Sequence, residues 1–131
     1  MRDSSMSSIY SPSCLRMFID LNRWEKSDEN KFRAASAREL LYLVAESLLD
    51  EARAPKYQTL KFLTGRFTDR AMRQRVREFE ALGLISTIPN PLDVRTKQLI
   101  PTSEFYLQLN QHLKSQRQVC ERHMHLIDKS F

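Results

Sequence analysis

The stretch Thr68-Asp69-Arg70-Ala71-Met72-Arg73-Gln74-Arg75-Val76-Arg77-Glu78-Phe79-Glu80-Ala81-Leu82-Gly83-Leu84-Ile85 decides the fold. Thr68 is a good N-cap, because its hydroxyl accepts one of the backbone N–H groups that the first turn leaves free. Met72, Val76 and Phe79 recur at i, i+4 and i+7, which is one inward face of a helix. Arg70, Arg73, Gln74 and Arg77 fall on the opposite side, and Arg75 lies at the flank of the apolar stripe, half buried. Gly83 closes the helix, since glycine enters the left-handed conformation at helix ends without a Cβ penalty. Leu84 to Ile88 then reads as a strand with Lys97 to Ile100 as its partner. Pro89-Asn90-Pro91-Leu92-Asp93-Val94-Arg95 lies between them and reads as the hairpin tip, because proline cannot donate to a ladder.

The flanking elements follow from the same signals. Residues 1–11 are serine-rich and predict a frayed tail. Ser11-Pro12 opens a helix through Trp24, with Leu15, Phe18, Ile19 and Leu21 as apolar anchors. Glu25 to Lys31 is a charged connector. Ser36 with Glu39 three residues on is a capping box, and its helix runs to about Arg53, where Pro55 stops it. Leu40, Leu41, Val44, Leu48 and Leu49 give that helix its apolar face. Tyr57 to Leu63 is a short helix that exits through Thr64-Gly65. Thr102 or Ser103 caps a last helix of roughly 25 residues, reaching Asp128, well beyond the usual 10–14. Tyr106, Leu113, Cys120 and Ile127 repeat every seven, with Met124 on the same side. A long, partly apolar helix of this kind takes a partner. A two-stranded hairpin must pack on helices to persist. The expected fold is mainly α: a winged helix-turn-helix with helical extensions at both ends that form a dimerisation region.

Composition narrows the function. The chain has 131 residues, 41% hydrophobic and 28% charged, which suits one soluble domain. Only two glycines argue against a turn-rich all-β fold. No apolar run approaches the roughly 18 residues of a membrane span, and the first residues lack a signal-peptide core, so a cytoplasmic location is expected. Cys14 and Cys120 are far apart and read as free thiols. The formal net charge is +5 and the pI near 9.5. Lys61, Arg66, Arg70, Arg73, Arg75 and Arg77 face one acid, Asp69, within 17 residues, whereas the rest of the chain balances at 15 basic and 15 acidic side chains. The whole excess is thus one local patch, as a surface that docks on a polyanion requires.

From Phe79 to Thr102 the chain resembles the MarR family of bacterial transcriptional regulators. That family shows Leu-Glu-x-x-Gly-Leu-Ile, then Pro-x-Pro-x-Asp-x-Arg, then a strand that closes on Leu-Thr. Here the register reads Phe79-Glu80-Ala81-Leu82-Gly83-Leu84-Ile85, Pro89 to Arg95, and Pro101-Thr102, without a gap across 24 positions. The resemblance implies a homodimer formed by the N- and C-terminal helices. It also implies a recognition helix, Thr68 to Leu82, in the major groove and a wing carrying Asp93 and Arg95 near the minor groove. On this reading 36–101 is the DNA-binding core, and 12–26 and 102–128 are dimerisation helices within one domain, 12–131.

Double-stranded DNA is therefore the expected partner. Lys61, Arg66 and Arg77 would neutralise phosphates, Arg70, Arg73 and Gln74 would read base edges, and Thr68 would hold a phosphate at the helix start. Asp93 would orient the wing while Arg95, with Lys97 nearby, reaches the duplex. The plain alternatives are a solvated helix face and an exposed turn ion pair worth under about 1 kcal/mol. Tyr106, Leu113, Cys120, Met124 and Ile127 form the expected dimer seam, where Cys120 is a filler, a redox switch being the alternative. Cys120 and His123 share a helix face, but His125 points elsewhere and no fourth ligand is evident, so no metal or cofactor is expected. Trp24, Phe18 and Tyr42 read as core aromatics, with the lining of a pocket for an unidentified small-molecule effector as the alternative. No phosphate loop, carboxylate pair or nucleophile–base pair supports an enzyme. The competing function is a winged-helix protein-interaction module whose basic face contacts an acidic partner.

Overall fold

The computed structural model describes residues 11–50, 53–60 and 65–130 and, at 94 and 125–130, the backbone course alone. Residues 1–10 of the expected tail 1–11, Lys61 and the turn residues Leu63-Thr64 lie outside the described residues, whereas Ser11 is described and buried. The elements are α1 (Pro12–Glu25), α2 (Ala35–Glu46), a 3-10 turn (Tyr57–Thr59), α3 (Asp69–Ala81), β1 (Ile85–Asn90), β2 (Asp93–Pro101) and α4 (Ser103–Ser130). The chain divides into two compact units: residues 34–110, and residues 1–33 together with 111–131. Helix α4 begins in the first and continues into the second.

In unit 34–110, α2 packs on α3 and on β2, and α3 packs against β1. The most deeply buried large side chains of the described residues, Phe105, Leu40, Leu41, Leu60, Met72, Leu99, Val44 and Val76, all belong to it. Thr68 caps α3 by accepting a hydrogen bond from Ala71 N–H at 3.1 Å. At its other end Gly83 takes φ +72°. Leu84 N–H bonds the Phe79 carbonyl at 2.8 Å and Gly83 N–H the Glu80 carbonyl at 3.0 Å, a Schellman closure. Phe79 and Leu84, both buried, are the apolar pair that accompanies it. Thr102 then ties the next helix to this corner. Its hydroxyl donates to the Gly83 carbonyl at 2.6 Å and accepts from Phe105 N–H at 3.3 Å.

Three expectations need correction here. Ser36 is not a cap: α2 starts at Ala35 after an extended Ala34 that makes no side-chain cap bond. Ser36 is buried because its hydroxyl serves a different partner, Arg75. Helix α2 also stops at Glu46, well before Pro55. From Ser47 to Leu49 the backbone bonds fall back to i−3 carbonyls, and the Ser47 hydroxyl bonds the Val44 carbonyl at 2.6 Å, which competes with continued helix. The hairpin, finally, is longer than expected, with antiparallel pairs from Ile85↔Pro101 to Pro89↔Lys97 and Asn90↔Asp93. Strand β1 pairs with β2 on one side and is an edge on the other, so Pro89 is tolerated there. Only Pro91-Leu92 remains as the tip, and residues 94–96 form a bulge on β2. Behind β2, Leu99 N–H bonds the Pro55 carbonyl and Lys56 bridges Gln98.

In the other unit, Ser11 caps α1 by accepting from Cys14 N–H, with Pro12 in the first turn. The connector is held by buried Asn30, whose amide donates to the Glu25 carbonyl at 2.8 Å and accepts from Phe32 N–H at 2.9 Å. His112 is buried against the rings of Trp24 and Phe32, centroids 5.1 and 5.4 Å away. His123 bonds Asp20 at 2.8 Å. The expected anchors of α1 are a further correction. Leu15, Phe18 and Ile19 are 47%, 56% and 41% exposed, and the helix has no buried residue.

Candidate nucleic-acid interface

The outer face of α3 carries Arg70, Arg73, Gln74 and Arg77, all exposed, while Met72, Val76 and Phe79 are at most 3% exposed. The two faces arise from the 3.6-residue period alone. Arg75 is on the flank, as its spacing predicts, and is partly buried. Its Nε donates to Ser36 Oγ on α2 at 2.7 Å and its Nη1 to Glu78 Oε2 at 2.7 Å. This bridge fixes the rotation of α3 on α2, and with it the direction of the arginine stripe. Ser36→Ala strands the Nε donor in a partly buried setting and is expected to lower stability by about 1–2 kcal/mol, measured by urea denaturation.

Around the start of the helix, Arg66 is exposed, 4.0 Å from Glu39 and over the Phe67 ring at 5.5 Å. Arg73 Nε is 2.8 Å from Asp69 Oδ2, with its guanidinium over the Tyr57 ring at 5.8 Å. Gln74 makes a long 3.4 Å contact with Glu78. Among the described residues, Arg70 and Arg77 have no acidic partner. Gly65 takes φ +67°, the left-handed conformation its residue type suggests.

On the hairpin, Asp93 Oδ1 accepts both the backbone N–H of Arg95 at 3.1 Å and its Nε at 3.2 Å. The Arg95 side chain is still 88% exposed. The carboxylate thus sets the turn and aims the guanidinium while leaving its outer N–H groups in solvent. Lys97 is exposed, and its backbone N–H donates to Gln58 Oε1 at 3.1 Å, which ties β2 to the segment before α3.

No family model and no curated protein matches the chain. A solved structure does. The chain is similar to the crystal structure of a transcriptional regulator from Thermotoga maritima. The TM-score is 0.61 at 15% identity, over 92% of this chain and 78% of that one. The fold is a winged helix, with α3 as its exposed basic helix and the β1–β2 hairpin as its wing.

In that winged-helix frame the other predicted residues separate. Tyr106, Leu113 and Met124 are 49%, 41% and 44% exposed and Cys120 is half buried; the Ile127 side chain lies outside the described residues. Among the described residues the buried positions of α4 are Phe105, Leu109, His112 and Val119. Phe18 and Tyr42 are exposed at 56% and 40%, not core aromatics. Trp24 lines a cleft of about 290 Å³ with Asp20, Arg23 and Arg122. A larger open cavity of about 490 Å³ lies between Ser47, Leu48, Ile88, Gln98, Ile100 and Tyr106 and uses none of the three aromatics. His123 is committed to Asp20. Among the described residues no group of three His, Cys, Asp or Glu side chains converges as metal ligands do, and no helix is long and apolar enough to cross a membrane.

Sequence reasoning missed Ser36, Tyr57, Asp69 and Glu78 as partners of the arginines. Asp69–Arg73 and Arg75–Glu78 were accessible as i,i+4 and i,i+3 pairs. Ser36 lies 39 residues from Arg75, and no local rule reaches it.

Proposed function

We propose that this chain is a cytoplasmic, sequence-specific DNA-binding transcriptional regulator of MarR type that acts as a homodimer on duplex DNA. One observation carries the reading: a capped, rigidly seated helix turns Arg70, Arg73 and Arg77 outwards beside a hairpin whose Arg95 is aimed by Asp93. Arg66, Arg70, Arg77 and Lys97, with Lys61, act on phosphates. Arg73 and Gln74 act on base edges and Thr68 on a phosphate at the helix start. The sequence register from Phe79 to Thr102 supports the family assignment. Segment 36–101 is the DNA-binding core.

The exposed apolar residues of α1 and α4 support the dimer, with 12–26 and 102–128 as its helices. An uncovered Phe18, with Leu15 one turn before it and Ile19 beside it, is the kind of patch a partner helix covers. Phe18→Asp is expected to shift the chain to a monomer in sedimentation at micromolar concentration, with its helical content kept.

A titration of labelled duplexes at rising salt tests the function. Affinity should fall steeply, with a log–log slope of about −0.9 per phosphate contact, and selected sites should be two-fold symmetric with half-sites about one helical turn apart. Absence of duplex binding at low salt sinks the reading. Capture of an acidic protein with only weak, sequence-blind DNA binding favours the interaction-module alternative, which the pairing of Arg66 and Arg73 with acids makes worth testing.

A further inference from the structure

The exposed arginines of α3 are of two kinds. Arg73 has two partners, Asp69 Oδ2 at 2.8 Å from its Nε and the half-buried Tyr57 ring, whose centroid is 5.8 Å from the guanidinium carbon. Its side chain is nonetheless 55% exposed. Arg70 and Arg77, on the same stripe and also exposed, have no acidic partner among the described residues.

The two kinds suit different ligands. A phosphate contact needs net positive charge and tolerates a mobile side chain, as Arg70 and Arg77 provide. A carboxylate 2.8 Å away weakens Arg73 as a phosphate ligand relative to Arg70 and Arg77, because it repels the phosphate oxygens. The same pairing prepares an arginine for a base edge. Asp69 pairs with the guanidinium at Nε, its inner nitrogen, so the two terminal nitrogens are left to offer the parallel N–H groups that guanine O6 and N7 accept. Adenine presents an amino donor in place of O6, so this fork rejects it. An acid in the first turn is also favourable for the helix, so Asp69 holds its place without other support.

We propose that Asp69, Arg73 and Tyr57 form the base-reading element of α3, with Arg73 the reader of one guanine per half-site and Asp69 and Tyr57 the positioning residues that aim it. This rests on the DNA-binding reading and adds which side chain discriminates, and for which base.

Selection of bound duplexes from a random pool, followed by titration of the selected site and its guanine-to-adenine variant, tests the assignment. The wild-type chain should select one invariant G·C pair in each half-site, and Arg73→Lys should relax it. Asp69→Asn keeps the side-chain shape and removes an acid from the surface. It should bind mixed-sequence duplex as well as or more tightly than wild type, while preference for guanine over adenine falls about tenfold. Tyr57→Leu should lose the same preference at unchanged mixed-sequence affinity. Loss of fold does not produce these opposed changes. A selected site without an invariant guanine overturns the proposal alone, as does full guanine preference in Asp69→Asn. A wild-type chain that binds no duplex overturns it together with the regulator reading.

Discussion

Phe105→Ala is expected to cost about 3–5 kcal/mol of stability, the range for truncating a fully buried phenylalanine. The side chain has no exposure and sits in the first turn of α4, where its N–H bonds the Thr102 hydroxyl. Thr102 in turn bonds the Gly83 carbonyl. The residue therefore belongs both to the core of unit 34–110 and to the corner where α3, the hairpin and α4 meet. Domains of this size have only about 5–15 kcal/mol in total, so the variant should be partly unfolded at moderate urea. Leu107→Ala is the control. Leu107 is 58% exposed, and its loss should stay within about 0.5 kcal/mol. Urea unfolding at one fixed protein concentration reads both, since a dimer makes the midpoint concentration-dependent. Equal midpoints for the two variants would refute the burial argument.

The same helix shows where sequence reading stops. Tyr106, Leu113 and Cys120 repeat every seven residues, and so do Phe105, His112 and Val119. Spacing does not tell a chain's own core from a face left open to a partner. His112 hides the buried stripe, because a polar ring breaks the apolar count even though Trp24 and Phe32 enclose it. By contrast, α3 was legible from end to end. Its signals are local: the Thr68 cap, the Met72–Val76–Phe79 stripe and the Gly83 closure each depend on residues a few positions apart. The hairpin was legible in kind but not in length, because proline excludes a central ladder and not an edge strand. The end of α2 was misplaced for the opposite reason. Leu48 and Leu49 continue the apolar period, yet Ser47 turns its hydroxyl onto the Val44 carbonyl and Leu49 is left 84% exposed.

Charge was legible as a sum and not as a circuit. The count places +5 between Lys61 and Arg77, but it treats all six cations alike. Folding gives Arg75 to Ser36 and Glu78, Arg73 to Asp69 and Arg66 weakly to Glu39. Arg70 and Arg77 are thereby the two cations of the α3 stripe best suited to meet a polyanion directly.

Replacing both, Arg70→Glu with Arg77→Glu, is accordingly expected to weaken duplex binding by about a hundredfold or more. Each reversal removes a phosphate contact and sets a carboxylate against the backbone, and like charges in contact cost several kcal/mol. The salt dependence should change with the affinity: two lost contacts flatten the log–log slope by about 1.8. Fold should not change, because both side chains are exposed and lie opposite Met72, Val76 and Phe79. Stability should stay within about 0.5 kcal/mol of wild type. Fluorescence anisotropy of a labelled duplex between 50 and 200 mM salt, alongside thermal unfolding, separates these effects. A weaker but still steep titration would move the phosphate contacts to Arg66, Arg95 and Lys97. Undiminished affinity with an unchanged slope would remove α3 from the duplex altogether and leave its basic face for an acidic protein.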